Sequence, residues 1–157
     1  MTASLSALDI TVIVLVALIL LLLLYVVITV NSFKRLLIKV ATAEDNIDKN
    51  LTEKYDLLTK AAVEYKDALE LKENMTIEEK INFNNELDKL AGDLVQNQIS
   101  NDLLKSVQET DKRLKAAIED YNFYVTHFNN MLITFPANLI AGLIKLKPIK
   151  SFAILTK

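Results

Sequence analysis

The chain has 157 residues, a formal net charge of −2 and no cysteine. The near-neutral charge argues against nucleic-acid binding, which needs a basic surface, and the lack of cysteine excludes disulfides and thiolate metal sites. Only two glycines and two prolines are present, so turns are scarce. These features predict an all-α protein of long helices.

The first predicted element is a membrane anchor over residues 10–30, an uncharged run of mostly Val, Ile and Leu. About 20 apolar residues match the hydrocarbon core of a bilayer, and the positive segment that precedes a cleavable signal peptide is missing. Lys34, Arg35 and Lys39 follow the run, and positive charge stays on the cytoplasmic side. We predict a single-pass protein of the inner or plasma membrane, with residues 1–9 outside and the rest in the cytoplasm.

After the anchor, apolar residues recur at steps of three and four, which is typical of one helix face. No helix breaker separates this pattern from the anchor, so we expect one continuous helix that extends to about Lys72. Only Glu44 interrupts the face. Its predicted members are Phe33, Leu37, Val40, Ile47, Leu51, Tyr55, Leu58, Ala62, Tyr65 and Leu69.

Two further helices follow. Residues 76–79 read Thr-Ile-Glu-Glu, a capping box that begins a second helix with Ile81, Leu87, Leu90 and Leu94 on its apolar face. The polar residues 96–102 predict either a kink, which would bring the third helix back toward the membrane, or a full turn, which would direct its end away. The third helix ends before Pro136. Its apolar face is Leu103, Val107, Leu114, Ile118, Tyr121, Val125, Phe128, Leu132 and Phe135.

Helices with one apolar face each bury those faces against one another. We therefore predict an antiparallel helical bundle over residues 31–138, followed by a short helical tail over residues 139–157. The tail has no acidic residue and carries Lys145, Lys147 and Lys150. Such a segment, broken at Pro148, either contacts the lipid surface or packs on the bundle with its lysines in water.

Residues 117–141 contain A-I-E-D-Y-N, then Val125, then F-N, Leu132 and F-P-A-N-L-I-A. This pattern resembles the signature of the LemA family of bacterial membrane-anchored proteins. A weaker match runs from Ile47 to Val63. The resemblance implies a single-pass anchor, a cytoplasmic helical domain and no established enzymatic activity. Residues in the two matches are candidates for interaction with a partner. They are Asp48, Tyr55, Asp56, Tyr121, Asn122, Phe128, Asn129, Phe135, Pro136 and Asn138.

The sequence departs from the family pattern at three places. Thr59 and Lys60 replace Pro-Asn, Phe128 replaces Tyr, and residues 144–146 read Ile-Lys-Leu instead of Phe-Gly-Phe. The segment between the two matches is also shorter than is usual in the family.

The positions of the signature residues predict structural roles for them. Tyr121 and Phe128 lie seven residues apart, so both belong to the buried face. Asn122 and Asn129 follow them and predict a polar ladder that caps a neighbouring helix or bonds to the first helix. Asn138 is suited to cap the helix after Phe135-Pro136. The alternative is that this row of asparagines and aromatics faces a binding partner.

The sequence offers little catalytic chemistry. His127 is the only histidine, and motifs for phosphate, zinc or calcium binding are absent. We expect no catalytic residue, cofactor, metal or small-molecule substrate, and His127 is expected on a polar or interface surface. The favoured function is a non-enzymatic scaffold that forms homo-oligomers or docks other membrane proteins. The alternatives are a membrane-organising protein that contacts lipid through the anchor and Lys-rich tail, and, least favoured, an enzyme.

Overall fold

The computed structural model describes residues 6–61, 72, 74–96 and 100–152 of the chain. These residues form four helices and no strand: α1 (Ala7–Ala61), α2 (Ile77–Gln96), α3 (Asn101–Ile133) and α4 (Ala137–Leu143). The prediction of an all-α bundle is confirmed. The predicted face residues Ala62, Tyr65 and Leu69 lie outside the described residues, as does the predicted end of the first helix near Lys72.

Helix α1 is one uninterrupted helix of 55 residues, which at 1.5 Å per residue is about 82 Å long. Its N-terminal part contains an apolar window of mean hydropathy 3.4, none of which is buried in the fold. From Thr29 onward, one face of the same helix is buried. The predicted continuity is therefore confirmed, and α1 is long and apolar enough to cross a membrane.

The buried face of α1 follows the predicted period with local differences. Leu36 is buried instead of the predicted Leu37. Ala43 is buried next to Glu44, the residue that interrupts the predicted face. Tyr55 is half-buried, and its predicted place in the core is taken by Lys54. The face consists of Thr29, Phe33, Leu36, Val40, Ala43, Ile47, Leu51, Lys54, Leu58 and Thr59.

Helix α3 runs antiparallel to α1 and forms the main interface with it. Near the end of the apolar run, the rings of Phe33 and Phe128 meet edge to face with centroids 5.8 Å apart. Farther along α1, Glu53 forms an ion pair with Arg113. Helix α3 therefore returns toward the apolar end of α1.

Helix α2 runs in the same direction as α1. Its first turn contacts α1 through Lys80 and Asp48, and its middle contacts a later part of α1 through Asp88 and Lys54. The chain thus reverses direction between Gln96 and Asn101. The expectation that a full turn would send α3 away from the membrane is wrong, because it presumed that α2 was antiparallel to α1.

Two helix starts have the caps that their residues predict. The Thr76 hydroxyl accepts a hydrogen bond from the Glu79 backbone N–H at 3.3 Å, and the Thr76 N–H donates to the Glu79 carboxylate at 2.8 Å. The bonds from Thr76 hold the pKa of Glu79 below its usual value. Ser100 caps α3 by accepting from the Leu103 N–H at 3.3 Å. The predicted capping box is confirmed.

The C-terminal region differs from the prediction. Helix α4 ends at Leu143, and residues 146–152, here called the C-terminal segment, have no regular secondary structure. Phe135 was predicted in the core face of α3 but is 74% exposed, because α3 ends at Ile133 and the chain turns there. The N-cap residue of α4 is Pro136, so the predicted cap by Asn138 does not form.

Candidate functional site

The two asparagines of the signature bind the main chain of the C-terminal segment. The Asn129 side chain accepts from the Ile149 N–H at 2.9 Å and donates to the Ile149 carbonyl at 2.8 Å. The Asn122 side chain does the same with Phe152, at 2.7 and 2.9 Å. We call these four hydrogen bonds the asparagine clamp. The predicted polar ladder is therefore present, but it bonds to the C-terminal segment and not to α1.

The spacing of the clamp has a geometric cause. Seven residues of α-helix advance about 10.5 Å, and three residues of extended chain advance about 10 Å. Asn122 and Asn129 can therefore each meet one residue of an extended chain whose contact points lie three residues apart. An asparagine side chain offers both an N–H donor group and a carbonyl acceptor, as the main chain of a neighbouring strand would. The clamp thus satisfies main-chain groups that a helical tail would have satisfied internally.

Tyr121 adds a fifth hydrogen bond beside the clamp. Its ring is buried in the core, and its hydroxyl donates to the Lys150 carbonyl at 3.0 Å. Burial, with a smaller effect from the charge of Glu44, raises the pKa of Tyr121 to about 12. The phenol therefore remains a protonated donor at physiological pH. Phe152, which the segment places in the core, is 4% exposed.

The remaining residues of the C-terminal match have separate positions. Phe128 is buried against Phe33, as its predicted core position requires. Phe135 is exposed, Pro136 is half-buried, and the Asn138 side-chain oxygen is buried without a hydrogen-bond partner among the described residues. The structure therefore joins Tyr121, Asn122 and Asn129 at one contact and leaves Phe135 outside it.

The candidates on α1 lie in a different place, at the contact with α2. Asp48 forms an ion pair with Lys80 at 2.8 Å, and Glu44 binds the same ammonium at 2.7 Å. Burial alone lowers the pKa of Lys80, but the hydrogen bonds to Asp48 and Glu44 and the negative charges of these two residues together outweigh burial and raise it. Tyr55 packs against Phe83 with ring centroids 5.9 Å apart, and Asp56 is exposed. The two sets of candidates do not form one site.

Lys54 is a buried residue that the sequence patterns did not predict. Its side chain is fully buried on α1, and its ammonium binds Asp88 and Asn84 of α2 and Asp111 of α3. The distance to the Asp111 carboxylate is 2.7 Å. One cation therefore joins all three long helices.

A signal for both buried lysines was present in the sequence. Lys54 lies three residues after Leu51 and four before Leu58, and Lys80 lies three before Phe83, so each occupies a core position of its helix. Lysine is almost never fully buried unless it is paired. The pattern alone could not supply the pairing, because the partners lie on other helices.

The lysines of the tail are exposed. Lys145 has a positive φ of 54° just after α4, and Lys147 is exposed after it. Lys150 pairs with Glu78 of α2 at 2.7 Å. That hydrogen bond raises the pKa of Lys150 and lowers that of Glu78. The Lys150 ammonium therefore contacts the bundle, whereas the side chains of Lys145 and Lys147 are exposed on its surface.

Two open grooves lie beside α3, and His127 lines both of them. One groove, of about 620 Å³, lies between α1 and α3 and includes Arg35 and Lys39. The other, of about 440 Å³, lies on α3 and includes Phe123, whose ring is 67% exposed. We call the second surface the outer α3 face. It comprises Glu119, Asn122, Phe123, Thr126, His127 and Asn130.

Within the described part of the chain, no three His, Asp or Glu side chains are close enough to hold a metal ion. His127 is exposed, as expected. The expectation that the protein is not an enzyme and takes no cofactor stays a prediction.

Comparison with known proteins gives one match. A family model described as the LemA family matches residues 34–157. The comparisons with curated proteins and with solved structures found no match. The matched region contains α2, α3, α4, the asparagine clamp and residues 34–61 of α1, which carry most of its buried face.

Proposed function

We infer, because this chain belongs to the LemA family, that it is a non-enzymatic membrane-anchored scaffold. Residues 10–30 hold it in the inner or plasma membrane, with the N-terminus outside and the bundle in the cytoplasm. The bundle self-associates or docks other membrane proteins. The observation that carries this proposal is the outer α3 face, where the exposed aromatic Phe123 lines an open groove.

The anchor and the orientation have physical support. The apolar window of α1 is uncovered by the rest of the chain, and 20 or more such residues are costly to expose to water. The cations Lys34, Arg35 and Lys39 follow directly, which favours a cytoplasmic bundle. Since α1 is unbroken, the anchor and the bundle share one helix.

The buried and signature polar side chains already bind other parts of the chain, which supports a binding role over a catalytic one. The signature side chains Tyr121, Asn122 and Asn129 are occupied with the C-terminal segment, and Lys54 and Lys80 are occupied with carboxylates. Phe123 has no such role: among the aromatic pairs of the described residues, its ring meets only that of the neighbouring Tyr124, in a T-shaped arrangement with ring centroids 5.4 Å apart. Exposed aromatics are enriched at the centres of protein interfaces.

Site-specific photocrosslinking tests this role. We expect a photoreactive amino acid at Phe123 to give defined adducts in intact membranes, either a dimer of this chain or a complex with another membrane protein. The same amino acid at Lys89, an exposed position on α2, serves as the matched control and should give none. Mass spectrometry of the adduct identifies the partner.

Phe123→Ser should remove those adducts when the crosslinker is moved to Thr126, because the ring supplies the buried area of the contact. A chain that stays uncrosslinked at both Phe123 and Thr126, and that purifies as a monomer without partners, would contradict the scaffold proposal.

A further inference from the structure

The C-terminal end of α3 lies beside the last residues of the predicted anchor in α1. Phe128 of α3 lies beside Phe33 of α1, and the two helices are antiparallel. Ile133, five residues farther along α3, is therefore about 7.5 Å closer to the anchor, level with Ile28. Ile28 belongs to the uncharged run, and its neighbour Thr29 is already buried by the bundle.

The chain turns at this level and leaves apolar side chains uncovered. We call residues 131–144 the α3–α4 corner. Its inner side packs Ala141 against Phe33, Leu36 and Phe128. Its other side exposes between 46 and 81% of each of five large apolar side chains. These are Ile133, Phe135, Leu139, Leu143 and Ile144.

The charge distribution marks the same end of the molecule. Residues 10–43 and 121–157 contain seven Lys or Arg and no Asp or Glu, whereas residues 44–120 contain eleven Lys or Arg and nineteen Asp or Glu. The acid-free residues include the anchor end of α1, the last part of α3 and the α3–α4 corner. A basic and apolar surface complements the anionic cytoplasmic face of a membrane.

We propose that the α3–α4 corner inserts its exposed apolar side chains into the interfacial layer of the bilayer that α1 spans. Lys145 and Lys147 follow the corner, and Lys34 and Arg35 follow the anchor, so both pairs meet the lipid headgroups. This proposal rests on the proposed anchor. Two points of lipid contact would fix the angle of the bundle to the membrane, which a single helix leaves free.

The contact can be measured by the depth of a fluorophore. The chain has no cysteine, so Ile133→Cys and Leu139→Cys can each carry one polarity-sensitive NBD label. Lys115→Cys is the matched control, since it is also exposed on α3 but lies outside the outer α3 face and about 27 Å farther from the anchor than Ile133. Leu22→Cys reports on the anchor. The full chain is reconstituted into vesicles of phosphatidylcholine and phosphatidylglycerol.

We expect labels at positions 133, 139 and 22 to emit at shorter wavelength, to be quenched by nitroxide-bearing lipids and to resist aqueous iodide. The label at position 115 should be quenched by iodide. Iodide quenching at 133 and 139 would overturn the corner proposal while lipid quenching at 22 upholds the anchor. Shielding from both quenchers at 133 and 139 would also overturn it, since a protein would then cover the corner.

If position 22 were reached by iodide and not by lipid, the proposed anchor would fail. The corner proposal would then fail with it, because the corner is proposed to insert into the bilayer that α1 spans. The result at position 22 therefore distinguishes the two failures.

Discussion

The variant Asp88→Asn/Asp111→Asn is expected to lose about 3 kcal/mol of unfolding free energy. Both substitutions keep the side-chain shape but remove the charges that balance Lys54, whose ammonium has no contact with solvent. Removing the partners of a buried charge costs about 3 to 5 kcal/mol. We place the loss at the lower end because both aspartates are about half exposed, and water can partly replace them.

Lys54→Met provides the decisive comparison. A buried ion pair replaced by an apolar residue of similar volume is often neutral or stabilising, so Lys54→Met should restore most of the stability of the Asp88→Asn/Asp111→Asn variant. Denaturant unfolding of the full chain in detergent, followed by circular dichroism, measures both effects. The exposed residues Asp93 and Asp102, changed to Asn together, are the control. Equal losses in control and test variants would show that Lys54 does not depend on these carboxylates.

The second large effect is expected at the asparagine clamp. Asn122→Ala/Asn129→Ala removes four hydrogen bonds to the main chain of Ile149 and Phe152. At about 0.5–1.5 kcal/mol each, the loss of these four bonds amounts to roughly 2–6 kcal/mol. Because the segment lies at the edge of the bundle, we expect it to detach while the helices remain. Amide hydrogen exchange at Ile149 and Phe152 should then accelerate roughly 100-fold.

Two further variants separate the clamp from general effects on α3. Asn130→Ala is the matched control, because Asn130 neighbours Asn129 but is exposed. Its exchange pattern should match that of the unmodified chain. Asn129→Asp keeps an acceptor for the Ile149 N–H but cannot donate to the Ile149 carbonyl, so it should accelerate exchange there as well. Unchanged protection of Ile149 in both Asn129 variants would contradict the clamp.

Much of the fold could be predicted from local patterns. Apolar residues at steps of three and four placed most of the buried face, including Phe33, Val40 and Ile47. The Thr76–Glu79 capping box placed the start of α2. These features depend on neighbours along the chain, so a sequence is enough to find them.

The direction of α2, the buried Lys54 and the form of the C-terminal segment could not be predicted in this way. Each depends on which elements pack together. Lys54 lies on a core position, yet its burial requires carboxylates from α2 and α3. The tail contains a helical apolar pattern, but its main chain bonds to Asn122 and Asn129 instead. The asparagine ladder was predicted, whereas its partner was not.

The central claim is that α1 is both a membrane anchor and the first helix of a cytoplasmic bundle. Cysteine accessibility tests it most directly, using Ser6→Cys before the apolar run and Lys89→Cys on α2. We predict that a membrane-impermeant maleimide labels Ser6→Cys on intact cells and labels Lys89→Cys only after the membrane is permeabilised. Labelling of Lys89→Cys on intact cells, or recovery of the protein in the soluble fraction, would contradict the claim.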